Sequence, residues 1–415
     1  MAYATLGTIY DNLGETDKSK EYRKKAFELR DRVSEREKFY ITAWYYSRVT
    51  GETDRAIRAL ELWKDTYPRD NIPWNNLSFQ FGSEGQHDRA LEMAQQALRL
   101  DPDSQFSYAA VAFAFICLNR FEEAKAVRER QLARGIDELG AHMDLYAIAF
   151  LDGDTAAMER HARWVAGKRG ATAMFRVQAQ INAMQGKLRT AREFYQRSTE
   201  AAQQESFKEF AAHTLAIEAL TEAEFGNCTQ ARQRANSALA ISRGTGVRGL
   251  AAYALGVCGE TGKARSLAED LKKESPTDVL MNKVTIPIIE AELELQRGNA
   301  KGAADLLEPA RAYELGGRRE LQEIYVRGQA YLRAKQGKEA IAEFRKLIEH
   351  KGVLLLLSNP IYYVLAHLGL ARAYALAGDT AISRRAYQDF FALWKDADPD
   401  IPILQQAKAE YAKLK

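Results

Sequence analysis

Apolar side chains recur at helical spacing along almost the whole chain. In the clearest stretch, Trp74, Leu77 and Phe81 form one apolar face, and Gly85 follows them. Steps of three and four place such residues on one side of an α-helix. Gly85 then ends the helix, because glycine enters the left-handed region without a side-chain penalty. A second stripe, Ala90, Ala94 and Ala97, runs along an otherwise polar stretch, and Pro102 stops it. The pattern predicts helix, tight turn, helix, with each helix about 12–14 residues long.

The unit repeats. Eleven times a small residue sits five places after a turn residue. The small residues are Ser19, Ala56, Ala90, Ala124, Met158, Ala191, Ala231, Ala264, Ala303, Ala340 and Ser383, with Met158 the exception in size. The turn residues are Gly14, Gly51, Gly85, Asn119, Gly153, Gly186, Gly226, Gly259, Gly298, Lys335 and Gly378. Successive small residues are 33 to 43 places apart, and four consecutive steps from Ala56 to Ala191 are 34, 34, 34 and 33. A steady period of that length marks an array of stacked hairpins. The small residues belong where the two helices of a hairpin cross, since they let the backbones approach. Pro309 falls inside one expected second helix and should kink or end it. Extra residues there and at 351–360 should widen the connections between units.

These residues resemble the tetratricopeptide repeat. The pattern reads Trp74, Leu77, Phe81, Gly85, Ala90, Ala97 and Pro102 in one copy and Tyr108, Phe115 and Ala124 in the next. It returns at Gly328, Tyr331, Ala340 and Phe344, and at Leu370, Tyr374 and Tyr387. The resemblance implies an all-α fold, a right-handed α-α superhelix of about eleven helical hairpins plus a capping helix. Residues 1–200 form the most regular units, 201–400 the more divergent ones and 401–415 the cap. In that last helix Asp400 is the expected N-cap and Pro402 lies in the first turn. The first helix, 2–10, shows an apolar face with nothing before it, so further protein upstream, or self-association through Leu6 and Tyr10, is expected.

Three stretches are similar to a narrower group. Leu62–Asp70, Phe150–Lys168 and Leu393–Lys415 resemble the C-terminal repeat region of bacterial eukaryotic-type serine/threonine protein kinases. Similar arrays follow winged-helix regions in some bacterial transcriptional regulators. The kinase signatures HRD, DFG and a strand-borne VAIK lysine are absent from the sequence. The resemblance therefore implies a non-catalytic sensor or docking region of a signalling protein.

Composition alters this picture little. With 59 basic and 56 acidic residues, the net charge of +3 gives no electrostatic case for nucleic acid or an anionic membrane. The longest aliphatic run, Val353–Leu357, is far too short to span a bilayer. Cys117, Cys228 and Cys258 suggest no disulfide framework and read as small fillers in a reducing, cytoplasmic compartment, the alternative being an extracytoplasmic array attached to a membrane-spanning kinase. Gly244, Gly246 and Gly249 spell GxGxxG, but between helices they read as a connecting loop. The six histidines suggest no paired ligands; His161 with Glu159 and Asp154 reads as exposed helix polarity. No metal, cofactor or catalytic set is expected.

The expected site is the concave side, lined by the first helix of each pair. Helical phase places Ile41, Tyr45, Ile72, Asn75, Phe79, Phe106, Phe113, Met143 and Phe150 there, followed by Arg176, Gln180, His213, Glu292, Gln329, Arg333 and Arg372. Only Asn76 matches the carboxylate clamp of chaperone-type arrays. An aromatic-lined groove for a protein or peptide is the expectation, becoming polar further along. The same aromatics would equally suit packing between neighbouring helices.

Overall fold

The computed structural model describes the chain except residues 169, 317–320, 358 and 415, and the side chains of 356 and 357. Among the described residues it is all helical. The first hairpin pairs α1 (Ala2–Asn12) with α2 (Thr16–Glu28). Four more follow: α3 (Glu35–Tyr45) with α4 (Thr53–Thr66), α5 (Asn71–Ser83) with α6 (His87–Leu100), α7 (Gln105–Cys117) with α8 (Phe121–Ala133), and α9 (Leu139–Asp152) with α10 (Thr155–Val165). Then come α11 (Ala171–Met184) with α12 (Leu188–Gln204), α13 (Lys208–Glu224) with α14 (Cys228–Ile241), and α15 (Thr245–Val257) with α16 (Thr261–Glu274). The last three pair α17 (Ile286–Gln296) with α18 (Ala300–Leu307), α19 (Gln322–Arg333) with α20 (Gly337–Glu349), and α21 (Ile361–Ala377) with α22 (Thr380–Leu393), before the final α23 (Pro402–Lys413).

The hairpins are built as the repeat requires. All eleven expected turn residues have positive φ, including Asn119 at 59° and Lys335 at 60°. Ten of the eleven crossing residues are buried, and Met158, the large one, is half-buried. Where serine replaces alanine at the crossing, its hydroxyl donates to a carbonyl of the facing helix. Ser19 Oγ reaches Gly7 O at 2.8 Å, and Ser383 Oγ reaches Ala371 O at the same distance. Both carry out one solution to one problem, a buried hydroxyl that needs an acceptor. Pro309 ends α18 early, and residues Glu308–Tyr313 continue as a 3₁₀ turn.

The array winds until its turns touch. The tight turns of the early hairpins rest on the connections between later ones. Phe210 lies against Gly14, Leu280 against Gly51 and Leu315 against Gly85. Asn119 bridges two backbone groups of the connection before α21, donating to Glu349 O at 2.8 Å and accepting from Gly352 N at 2.7 Å. The α11–α12 turn meets the chain after α22: Trp394 Nε1 donates to Met184 O at 2.7 Å, and Asp398 N donates to Gly186 O at 2.9 Å. Helix ends are satisfied across this seam. Glu15 accepts from Glu209 N at 3.1 Å, and the Glu209 carboxylate faces the backbone amides of Thr16 and Asp17 at the start of α2. Asp398 accepts from Arg189 N, at the start of α12, at 2.8 Å. Free helix N-termini need acceptors, and here the neighbouring superhelical turn supplies them. Lys20 and Asp278 add an ion pair of 2.7 Å.

The widened connections fold inward. Val353, Leu354 and Leu355 are buried in the core that runs from α11 to α23. Arg327, itself buried, joins Glu343 at 2.6 Å and also pairs with Glu314, fixing the connection on which Gly85 rests. Asp400 does not cap α23, whose N-cap is Ile401; it pairs with Arg189 at 3.0 Å instead. The helix begins at Pro402, which leaves Asp400 one place outside the capping position.

Candidate binding surface

Among the first helices, α5 packs on α7, α9 on α11, and α13, α15, α17 and α19 each on the next, which builds much of the expected inner wall. The expected groove residues do not line it as one row. Tyr45 turns toward the first hairpin and stacks on Phe27, ring centroids 3.8 Å apart. Phe79 and Phe113 come together at 5.5 Å, and Phe113 lies across Gly82, where a Cβ would be 2.5 Å from its ring. That places Phe113 between α5 and α7, where the missing side chain of Gly82 makes room. Asn75 is half-buried, and its Oδ1 has no hydrogen-bond partner. Phe150 packs against the core. Arg176 lies over the Phe210 ring at 4.3 Å. Met143 and Gln180 share a small cavity with Asp144, Val177, Leu355 and Pro360, so part of the inner wall of α9 and α11 is met by the chain's own connection.

Phe106 stands apart. It is 61% exposed, the most of any large apolar side chain among the described residues, on the first turn of α7. Ile72 occupies the same place on α5 and is also exposed.

Two of the later polar positions have partners within the chain. Glu292 is buried and accepts from Gln296 at 2.6 Å. Arg372 forms a two-pronged pair with Glu410 of α23 at 2.9 and 3.1 Å. Glu224 accepts from Tyr253 at 2.8 Å, with Tyr325 and Tyr362 also reaching it, so four hairpins converge on one carboxyl. Burial pushes that carboxyl up to about 8, in spite of the tyrosine hydroxyls. Of the later polar positions, Glu292 alone is buried; Arg176, Gln180, His213, Gln329 and Arg372 are half-buried, and Arg333 is exposed.

Three further expectations need correction. Cys228 and Cys258 are bonded, with Cα atoms 5.3 Å apart, joining the starts of α14 and the end of α15. Separated by 30 residues, they meet because adjacent hairpins bring equivalent edges together, which no local spacing reveals. Cys117 stays a buried thiol, and burial raises its pKa. His161 is not exposed: it is buried beside His142, with their Nδ1 atoms 2.9 Å apart. His142 Nε2 bonds Asp137 at 2.7 Å, and its ring stacks on Trp164. Burial first, and His142 second, push His161 down to about 4. Finally, Gly246 and Gly249 lie within α15, so only Gly244 of that motif belongs to a loop.

The first hairpin matches the tetratricopeptide repeat. The family profile covers residues 2–32. No curated protein matches the chain. Among solved structures, yeast Tom70 is 14% identical over 94% of this chain and 95% of that one, with a TM-score of 0.35. The APC/C hetero-tetramer Cut9–Hcn1 is 14% identical over 97% of this chain and 74% of the other, TM-score 0.43. A tetratricopeptide repeat protein from Parabacteroides merdae is 15% identical over 69% and 98%, TM-score 0.31. The profile match covers one hairpin of the eleven, α1 with α2. No helix among the described residues is long and apolar enough to cross a membrane.

Proposed function

We propose that the chain is a non-catalytic scaffold that captures a protein partner through the exposed apolar edge of its early hairpins. The observation that carries this reading is Phe106, a large aromatic left in water on a rigid helix while its neighbours Phe79 and Phe113 are packed. An exposed aromatic of this kind is the usual anchor of an interface. Asn75, Ile72 and the half-buried Phe79 extend the same side. The three stretches resembling kinase-linked repeats make a sensor or docking arm of a bacterial signalling protein the finer reading; part of a transcriptional regulator is its rival. The Cys228–Cys258 bridge favours an oxidising compartment, and hence the extracytoplasmic alternative.

The test is affinity capture from native lysate with the wild-type chain and Phe106→Asp. The variant should keep its helicity and melting temperature and lose the partner. A partner held equally by both would remove Phe106 from the interface. Self-association is the second reading, favoured by Ile9, which is 46% exposed on α1. Tyr10, expected on that open face, instead stacks on Tyr22 at 5.3 Å. Light scattering that shows a concentration-dependent mass in the wild type, abolished by Ile9→Glu, would support self-association.

A further inference from the structure

The inner wall of the later hairpins holds a cavity of about 220 Å³. Four successive hairpins build it: His213 from α13, Gly246, Gly249 and Leu250 from α15, Val284, Thr285 and Ile288 from the start of the next hairpin, and Gln322 and Glu323 from α19. Its surface is mainly apolar. An engineered apolar cavity of ~150 Å³ is already large enough to take up benzene. Two glycines of α15 lie in the wall of the inner cavity. A Cβ on Gly249 would meet Thr285 Cγ2 at 3.0 Å, whereas one on Gly246 would meet nothing nearer than His213 at 3.6 Å. Glycine is costly in a helix, about 1 kcal/mol relative to alanine. Gly249 is explained by the close approach of Thr285, and Gly246 by the space that it leaves.

A second, independent observation points to a ligand. Gln322 is 5% exposed and lines the cavity, yet its Nε2 has no hydrogen-bond partner. A buried amide donor left unpaired costs about 1–3 kcal/mol, which an acceptor in the cavity would recover. The charge of that acceptor is limited by its surroundings. The walls are mainly apolar, so a charged group would give up its hydration on entering them. His213 is pushed down to about 3, chiefly by burial, so it is uncharged at neutral pH.

We infer that this cavity is a binding site for a small uncharged ligand, a compact apolar body bearing a carbonyl oxygen that accepts from Gln322. The site is distinct from the exposed edge around Phe106. It would make the array a receptor for a small molecule as well as a scaffold.

Saturation-transfer NMR on the full chain tests it with benzamide, toluene, benzoate and benzylamine as probes. Benzamide should bind saturably and one to one, toluene more weakly, and the two charged probes not at all. Gly246→Leu should fill the cavity, abolish binding of both neutral probes and leave melting unchanged or raised. Gln322→Leu should weaken benzamide about tenfold and leave toluene unchanged. Absence of saturable benzamide and toluene binding by the wild type would show a cavity that holds only water, and would overturn the inference. Equal binding by Gly246→Leu would move any site elsewhere, and benzoate binding as well as benzamide would refute the ligand class. Loss of the protein partner in Phe106→Asp bears on none of these outcomes.

Discussion

Single residues carry the array at two kinds of position. At the crossings, a fully buried Ala90 leaves no volume for anything larger. Ala90→Phe should destabilise by about 1–3 kcal/mol or more, read as a lower denaturation midpoint at unchanged slope. At His161 the relevant property is charge. Its folded value, about 4, lies below the ordinary 6.5 of an unfolded histidine, so the unfolded chain binds the proton more tightly. The contribution is complete above about pH 6.5 and is lost as the pH falls toward 4, worth on the order of 3 kcal/mol. Urea titrations between pH 7 and 4 should show this loss, and His161→Gln should flatten it. An unchanged slope in the variant would place the titration elsewhere.

At the scale of the element, the hairpin turn has two environments. Gly186 and Gly378 both adopt positive φ, 73° and 86°. A Cβ on Gly186 would lie 2.5 Å from Ala397 Cβ and 3.0 Å from the Trp394 ring, while one on Gly378 would meet nothing within 4 Å. Both alanine variants incur left-handed strain of about 1–2 kcal/mol. Only Gly186→Ala should also open the seam with Trp394. Its melting temperature should therefore fall clearly further than that of Gly378→Ala, and the fluorescence of Trp394 should shift red. Equal losses would mean that the seam yields freely. The turn residue was legible in the sequence because its backbone demand is local. The neighbour it meets was not, since Trp394 is 208 residues away from it.

At the scale of the whole molecule, contact between superhelical turns changes how the array holds together. An open array has interactions only between neighbours along the chain, and its parts open independently. Here Glu15 and Glu209 cap each other's helices across the seam. Glu209→Ala should speed hydrogen exchange at Thr16 and Asp17, near the far end of the sequence, by roughly tenfold. Exchange confined to the neighbourhood of residue 209 would show that the turns are energetically independent.

The sequence by itself determined the hairpins. Helical periodicity, left-handed turn positions and compact crossings are properties of a few adjacent residues, and all eleven turns adopt the expected backbone sign. The inward or outward fate of the inner-wall side chains was decided only in three dimensions. Tyr45 and Phe113 share the phase of a groove yet pack between helices, and Arg372 and Glu292 share it yet are held internally, because curvature brings hairpins from distant stretches into contact. The Cys228–Cys258 bond, the His142–His161 pair and the glycine-lined cavity arise in the same way. Local pattern fixes each unit's shape. The pitch at which units stack fixes which surfaces remain in water, and pitch is the sum of many small packing angles that no single stretch encodes.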